Sequence, residues 1–441
     1  MGRDNASPLS IGSMKLPAHL FAMCSRRYLF VLATLVILLY FTLSDSFQVR
    51  SRVIDAATNA AATTNTRLFD NLDLIANGTL GFGAIFAIAL PDRHDKIDIT
   101  SLAAAVTGLQ LTWVDGVLGD TMNPKAIPPI HFDPNFQDKY GEGMPNDGQI
   151  GCWRSHMNIW REMIRTGVES ALIIEDDADW DVRIVQQMQQ FAVATKEFLN
   201  KTEIRPPKNA ASANMLDSPY GEDWEILFPG HCGGMVHPDA KVRNIHTLIR
   251  NDTTMPPTWD MHDLTIWLDK EQFLDTPCYT HAGRDAPGRT CDQPRIPSDA
   301  RVVQLGSPMC TMGYAISQKG ARHFLANLGG VSLLDANNPV DQKLMEMCRG
   351  EHDHDDSKVR CVSVSPPYIE SHRPRGVKSA ESDIMAFGSE VREVGVTQGL
   401  VLSAKINIKN LVAGRKPESQ YIRDPGSLVW RQRRLDEYTE Q

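Results

Sequence analysis

The sequence predicts an α/β fold with a mainly parallel central sheet covered by helices on both faces. Three observations predict it. Apolar runs of strand length recur along the chain, helical segments separate them, and the run Ala171 to Ile174 (ALII) ends in a burst of carboxylates. Strands alternating with helices imply parallel pairs, because a parallel connection needs a crossover.

The chain has 441 residues, room for one large domain plus appendages. At 42% hydrophobic and 22% charged residues it can bury a sizeable core. The net charge is −9, and no basic block interleaves with aromatics. Nucleic acid is therefore excluded as an expected partner.

Residues 1–27 read as a cytosolic tail. Tyr28 to Leu43 carry no charge, and at about 1.5 Å per residue this run spans roughly 24 Å. That suits the early secretory membranes, about 27 Å thick. Arg26 and Arg27 precede the run, which places the N-terminus in the cytosol and the body in the lumen. The long leader and the poor cleavage site Ser44-Asp45-Ser46 argue for a retained signal-anchor over a cleaved signal peptide. The expectation is a single-pass type II protein of the Golgi or endoplasmic reticulum, its membrane partner reached through the N-terminal helix. Residues 44–80, rich in Ala, Thr and Asn, read as a stem.

Asn77-Gly78-Thr79, Asn200-Lys201-Thr202 and Asn251-Asp252-Thr253 are glycosylation sequons, in keeping with a lumenal body. Seven of the eight cysteines follow the apolar run. Cys348 with Cys361, and Cys278 with Cys291, are spaced to close short disulfide loops, and an odd count leaves one thiol over.

The globular pattern starts at Gly81. Ala84 to Leu90 is the first strand, stopped by Pro91; Leu102 to Leu109 follows as a helix, and Gln110 to Val114 as a second strand. Residues 119–149 read as loop. Ser155 to Thr166 reads as a helix with Ser155 as N-cap and an apolar face of Ile159, Trp160, Met163 and Ile164. Ala171 to Ile174, Trp224 to Phe228 and Arg301 to Leu305 are further strands, and Tyr314 to Leu325 a strand leading into a helix. Beyond about residue 390 the pattern weakens into a peripheral tail.

Chemistry concentrates at Glu175-Asp176-Asp177-Ala178-Asp179, directly after the apolar strand. Ligands bind at strand carboxyl ends in open α/β sheets. Carboxylates so close together repel unless a cation sits among them. A hard ion such as Mn²⁺ or Mg²⁺ suits that donor set, and phosphate oxygens complete its shell. The competing reading is a solvated acidic turn. Glu351-His-Asp-His-Asp-Asp356 looks metal-like, but it lacks an apolar scaffold and reads as an exposed loop.

Segments 85–96, 113–117, 148–167, 170–181, 224–233, 307–325 and 338–348 together, in order and spacing, resemble glycosyltransferase family 25. The pairing of IGCxxSHxxxW with LIIEDDxDWD carries the resemblance. The chain is most similar to the fungal, membrane-anchored members. The resemblance implies a GT-A type nucleotide-binding domain over 81–385 and a C-terminal tail over 386–441. It implies inverting hexose transfer, with galactose commonest, from a UDP-sugar to a glycan or glycoprotein acceptor, with Mn²⁺ as the usual metal. Two registers of the acidic motif stay open: Asp177 with Asp179, or Glu175-Asp176-Asp177; Asp177 is a metal contact in both. His372 is a candidate late metal or diphosphate ligand, with Arg373 and Arg375 assisting. Arg93 and Asp115 are expected at the base or ribose, and Lys96 stands where the family often has arginine. Ser155 and His156, taken to sit at a helix N-terminus, are expected at donor or acceptor. Asp341, ahead of a helix, is the expected general base.

Two other readings share these features. A nucleotidyltransferase or phosphodiesterase would also use the acidic strand end, and a catalytically inactive lumenal protein would hold glycans without turnover.

Overall fold

In the computed structural model the described residues are 68–123, 146–202, 218–222, 224–236, 245–256, 300–328, 339–349, 359–384, 388–423 and 430–432. The expected cytosolic tail, the apolar run 28–43 and most of the stem lie outside them, as do Cys278, Cys291 and the acidic stretch 351–356. Among the described residues no helix is long and apolar enough to cross a membrane.

Leu68–Gln441 form one compact unit. In chain order its main elements are β1 (Ala84–Ala89), α1 (His94–Thr107), β2 (Thr112–Asp115), α2 (Asp147–Thr166), β3 (Ser170–Glu175), β4 (Ala178–Trp180) and α3 (Ile184–Lys201). Next come β5 (Ile226–Gly230), β6 (Gly234–Val236), β7 (His246–Ile249), β8 (Arg301–Pro308), β9 (Gly313–Ser317), α4 (Gln318–Leu328) and α5 (Val340–Arg349). The last are β10 (Cys361–Ser365), β11 (Ile369–Arg373), β12 (Gly376–Val377), β13 (Val391–Arg392) and β14 (Val396–Thr397).

The main sheet has the order β2-β1-β3-β9-β5-β10-β8-β6. β1 pairs in parallel with both β2 and β3. β9 lies antiparallel between β3 and β5, so β5 regains the direction of β3, and β10 runs parallel to β5. β2, β1, β3, β5, β10 and β6 therefore share one direction, with β9 and β8 opposed. The sheet is mixed, with most of these strands pointing one way.

Strand periodicity decides the layering. Along β3, Leu172 and Ile174 join one apolar layer, and Ala171 and Ile173 join the other. On the first face Met188, Phe191 and Phe198 of α3 pack with Ala103 and Ala104 of α1. On the second, Met157, Trp160 and Met163 of α2 pack with Phe324 of α4 and Leu344 of α5. Each fully buried large side chain here contributes about 2 kcal/mol. Helices on both faces explain why β3 is apolar at four successive positions.

Three expectations need correction. α2 begins at Asp147, capped by Asn146, whose side chain accepts from the Gln149 N–H at 2.8 Å in a capping box. Ser155 is thus two turns inside the helix, buried, and not its cap. Ile75 and Leu80, within the expected stem, are fully buried. The segment after residue 390 is not peripheral: Thr397 and Ser403 have no exposed surface, and β14 pairs with β11.

Among the described residues two disulfides form. Cys348–Cys361 was expected, and Cys232–Cys310 joins positions too far apart in sequence for spacing to reveal. Cys152 is a free thiol.

Candidate functional site

Parallel pairing brings three strand ends to one edge, with Ala89 opposite Asp115 and Ile88 opposite Glu175. There a cavity of about 320 Å³ opens between the strand ends, the N-terminal half of α2 and residues 381–384. Its wall carries Asp120, Asp147, Glu175, Asp176, Asp177, Glu381 and Asp383, against Lys96 as its lysine. Such an acidic wall favours a cation.

The loop after β2 seats directly on α2. The Val117 N–H donates to the Ser155 Oγ at 2.9 Å, and the Ser155 hydroxyl donates to the Gly151 carbonyl at 2.7 Å. A Cβ on Gly151 would stand 2.1 Å from the Val117 carbonyl oxygen. Glycine is required there for close approach, which outweighs its cost of about 1 kcal/mol in a helix.

His156, on the same face of α2, is buried. Its Nδ1 lies 2.9 Å from the Tyr314 hydroxyl, which also accepts from Trp160 Nε1 at 3.0 Å. The tyrosine proton is then free to go to His156 Nδ1, turning the Nε2 proton toward Glu175 Oε1, 3.7 Å away. Burial alone would raise the Glu175 carboxyl, but the nearby His156 imidazole and the hydrogen bond from the Thr311 hydroxyl hold it below the usual range.

The three aspartates behave differently. Burial pushes Asp176 up to about 6, although Lys96 Nζ, 3.0 Å from its Oδ1, pulls the other way. Asp177 accepts from Ser371 Oγ at 2.5 Å through Oδ2, while its Oδ1 is buried with no hydrogen-bond partner. Asp179 is fully buried. Its Oδ2 accepts from Thr397 and Ser403, and its Oδ1 from the Trp180 N–H at 2.8 Å and the Lys405 N–H at 3.1 Å. Those four donors occupy the lone-pair positions of a carboxylate. Asp179 anchors the C-terminal segment and does not reach the cavity wall; its expected place in the metal set is corrected on that ground.

Of the residues expected from sequence, Ser155, His156, Glu175, Asp176 and Asp177 share the cavity wall. Arg93 lies behind it, its guanidinium donating to Asp95 at 2.9 and 3.0 Å and to Asp383. Asp115 is exposed at the end of β2, with Gly116 and Val117 taking the wall. The His372 ring lies off the wall, its Nδ1 2.9 Å from the Thr397 hydroxyl; burial and the nearby Lys405 drive it down to about 3, so it is neutral. Asp341 is in the first turn of α5, accepting from the Cys310 N–H at 3.0 Å, and burial raises its carboxyl.

Sequence reasoning missed Asp383, whose carboxylate accepts from Arg93 and from Lys96 Nζ at 3.1 Å. It missed Cys152 on the wall, Ser371 on Asp177, and Lys405, whose Nζ donates to the Asp176 carbonyl at 2.9 Å. Of these, Cys152 lies within IGCxxSHxxxW and Ser371 directly precedes His372, whereas Asp383 and Lys405 lie in no motif.

Residues 83–212 match the family model described as glycosyltransferase family 25 (LPS biosynthesis protein). The chain is similar to procollagen galactosyltransferase 2 of Mus musculus, 26% identical over 176 residues, covering 39% of this chain and 25% of that one. It is 26% identical over 179 residues to procollagen galactosyltransferase 1 of Danio rerio, covering 39% and 26%. It is 27% identical over 145 residues to inactive glycosyltransferase 25 family member 3 of Homo sapiens, covering 30% and 24%. The chain thus spans about a quarter of the length of these curated relatives.

Proposed function

We propose, from the match of residues 83–212 to the glycosyltransferase family 25 model, that this protein is a metal-dependent inverting glycosyltransferase. It moves a hexose, galactose by preference, from a UDP-sugar to a glycan or glycoprotein acceptor in the secretory pathway. The single observation that carries the reading is the buried, unpartnered Asp177 Oδ1 at the end of β3, beside Glu175 on an acidic cavity wall. A buried carboxylate oxygen without a donor is costly unless a cation meets it.

These hard oxygen donors fit Mn²⁺ or Mg²⁺. Glu175 and Asp177 would hold the ion, which favours the register that begins at Glu175. When bound, the ion neutralises charge on a diphosphate leaving group. Asp341, its carboxyl raised by burial, accepts the proton of the acceptor hydroxyl. Ser155 keeps the β2 loop against α2 and so fixes one wall of the donor pocket. Arg93 and Asp115 remain proposals for the base or ribose, and contact through Arg93 requires Asp383 to give way. His372 is a positioning residue in this scheme.

Two disulfides support an oxidising compartment, and the sequon asparagines Asn77, Asn200 and Asn251 are exposed. The arrangement of the sheet fits a GT-A type fold.

A relative named as inactive supports a second reading, a glycan-binding protein without turnover. The deciding experiment screens UDP-sugars with purified full-length protein, with Mn²⁺ or with EDTA, and reads released UDP. Metal-dependent UDP release is the expected result. Release of pyrophosphate or a nucleoside monophosphate points to a different nucleotide-processing enzyme. Absence of turnover, with a melting temperature unmoved by UDP and Mn²⁺, overturns the proposal.

A further inference from the structure

We propose that Cys152, His156 and Glu175 form a zinc-binding site on the cavity wall, adjoining the hard-ion position at Asp177 and sharing Glu175 with it. Two elements converge to make it. Cys152 and His156 are one turn apart on α2 and therefore share a face. Glu175 meets them from the end of β3. One ligand atom from each, the Cys152 thiol sulfur included, lies within 4.8 Å of the other two. Ligand atoms around a tetrahedral zinc stand roughly 3–4 Å apart, so small side-chain rotations close the set.

Two of the ligands are already held from outside. The Tyr314 hydroxyl engages His156 Nδ1 and leaves Nε2, 3.7 Å from Glu175 Oε1, on the inner side. The Thr311 hydroxyl donates to Glu175 Oε1. Outer partners of this kind orient zinc ligands. A thiolate, an imidazole and a carboxylate together select zinc over Mn²⁺ or Mg²⁺, which prefer oxygen alone. Three protein ligands leave a fourth position facing the cavity that Cys152, His156 and Glu175 all line. Binding releases the thiol proton to solvent and moves the His156 proton from Nε2 to Nδ1, which then donates to the Tyr314 oxygen.

The proposal goes beyond the transferase reading and needs no nucleotide. Glu175 is shared with the hard-ion set, so zinc and Mn²⁺ compete for it.

The test titrates metal-free, full-length protein with Co²⁺, then Zn²⁺, without nucleotide. The expected result is a thiolate-to-cobalt charge-transfer band, saturating at about one equivalent and bleached by zinc. Cys152→Ser abolishes the band, His156→Asn weakens binding at least about tenfold, and Asp177→Asn retains it. No thiolate band in the wild type, or an equal band in Cys152→Ser, overturns the proposal. Loss of the band in Asp177→Asn does so too, because it would place the ion at the hard-ion position. If the Cys152 or His156 variants fail to fold, the wild type decides: zinc must slow alkylation of Cys152, read by peptide mass spectrometry. An unchanged rate refutes the site without touching the transferase reading.

Discussion

The Ser371 hydroxyl donates to Asp177 Oδ2 at 2.5 Å, and the other oxygen of the same carboxylate is buried without a partner. One half of Asp177 is thereby fixed, and the other is the half that the proposed cation would meet. Asp177→Asn should weaken Mn²⁺-dependent UDP binding on the order of 100-fold. Without metal the variant should lose no more than about 1 kcal/mol, since asparagine keeps an oxygen for Ser371 and gives up only the partly exposed ion pair with Arg373 at 3.6 Å. Calorimetry with UDP, with and without Mn²⁺, checks both statements. Full UDP affinity in the variant would rule out the assigned role.

Asp179 should behave in the opposite way. Asp179→Ala leaves the hydroxyls of Thr397 and Ser403 and the N–H groups of Trp180 and Lys405 without their acceptor. Each stranded donor costs about 1–3 kcal/mol, so a loss of at least about 3 kcal/mol is expected. Urea unfolding measures it. Two aspartates with a single alanine between them are thus separable, one by ligand binding and one by stability.

His231 gives a pH signature away from the cavity. It is buried, its Nε2 2.8 Å from the Val364 carbonyl, while its Nδ1 accepts from the Gly233 N–H at 3.2 Å. Burial drives its pKa from 6.5 down to about 4. Between those values the unfolded chain binds a proton that the folded chain refuses. Stability contributed by this group is therefore full above about pH 6.5 and falls as the pH drops toward 4, by about 3 kcal/mol. In His231→Gln the slope of unfolding free energy against pH over that window should fall by about one proton. An unchanged slope would assign the acid loss to other groups.

How much of this was legible in the sequence follows from what each residue packs against. β1, β3 and the acidic end of β3 announce themselves, because apolar strands buried on both faces have no polar positions. The start of α2 did not, because Gly148 and Gly151 look like loop residues. Their smallness serves contact: a Cβ on Gly148 would meet the Asp383 carbonyl at 3.0 Å. β11 and β14 carried no strand signal, since Ser371 and Thr397 turn hydroxyls toward Asp177 and Asp179. Asp383 follows Lys96 by 287 positions, and no local pattern links residues so far apart.

The same packing gives a sharp test of the α2 boundary. Gly151→Ala places a methyl 2.1 Å from the Val117 carbonyl oxygen. The obstacle is backbone and cannot rotate away, so the loop after β2 must shift. A cost of about 3 kcal/mol is expected, together with a raised KM for donor, because Val117 and Gly119 belong to the cavity wall. Thermal unfolding and donor kinetics check the two parts.

Asp341 separates binding from chemistry. Its carboxylate accepts from the Cys310 N–H at 3.0 Å, and Cys310 is itself fixed by the disulfide to Cys232. Burial raises the carboxyl, with Glu175 adding to the rise. A carboxylate with a raised pKa is a better proton acceptor near neutral pH. Asparagine keeps an oxygen for the Cys310 N–H, so Asp341→Asn should fold and bind UDP with Mn²⁺ as the wild type does. Its kcat should fall at least about 100-fold, the usual range for losing a general base, while KM for donor holds. Isothermal titration with UDP, followed by single-turnover transfer, reads the two quantities separately. Turnover near the wild-type rate would take Asp341 out of the base role, and joint loss of binding and turnover would make it structural.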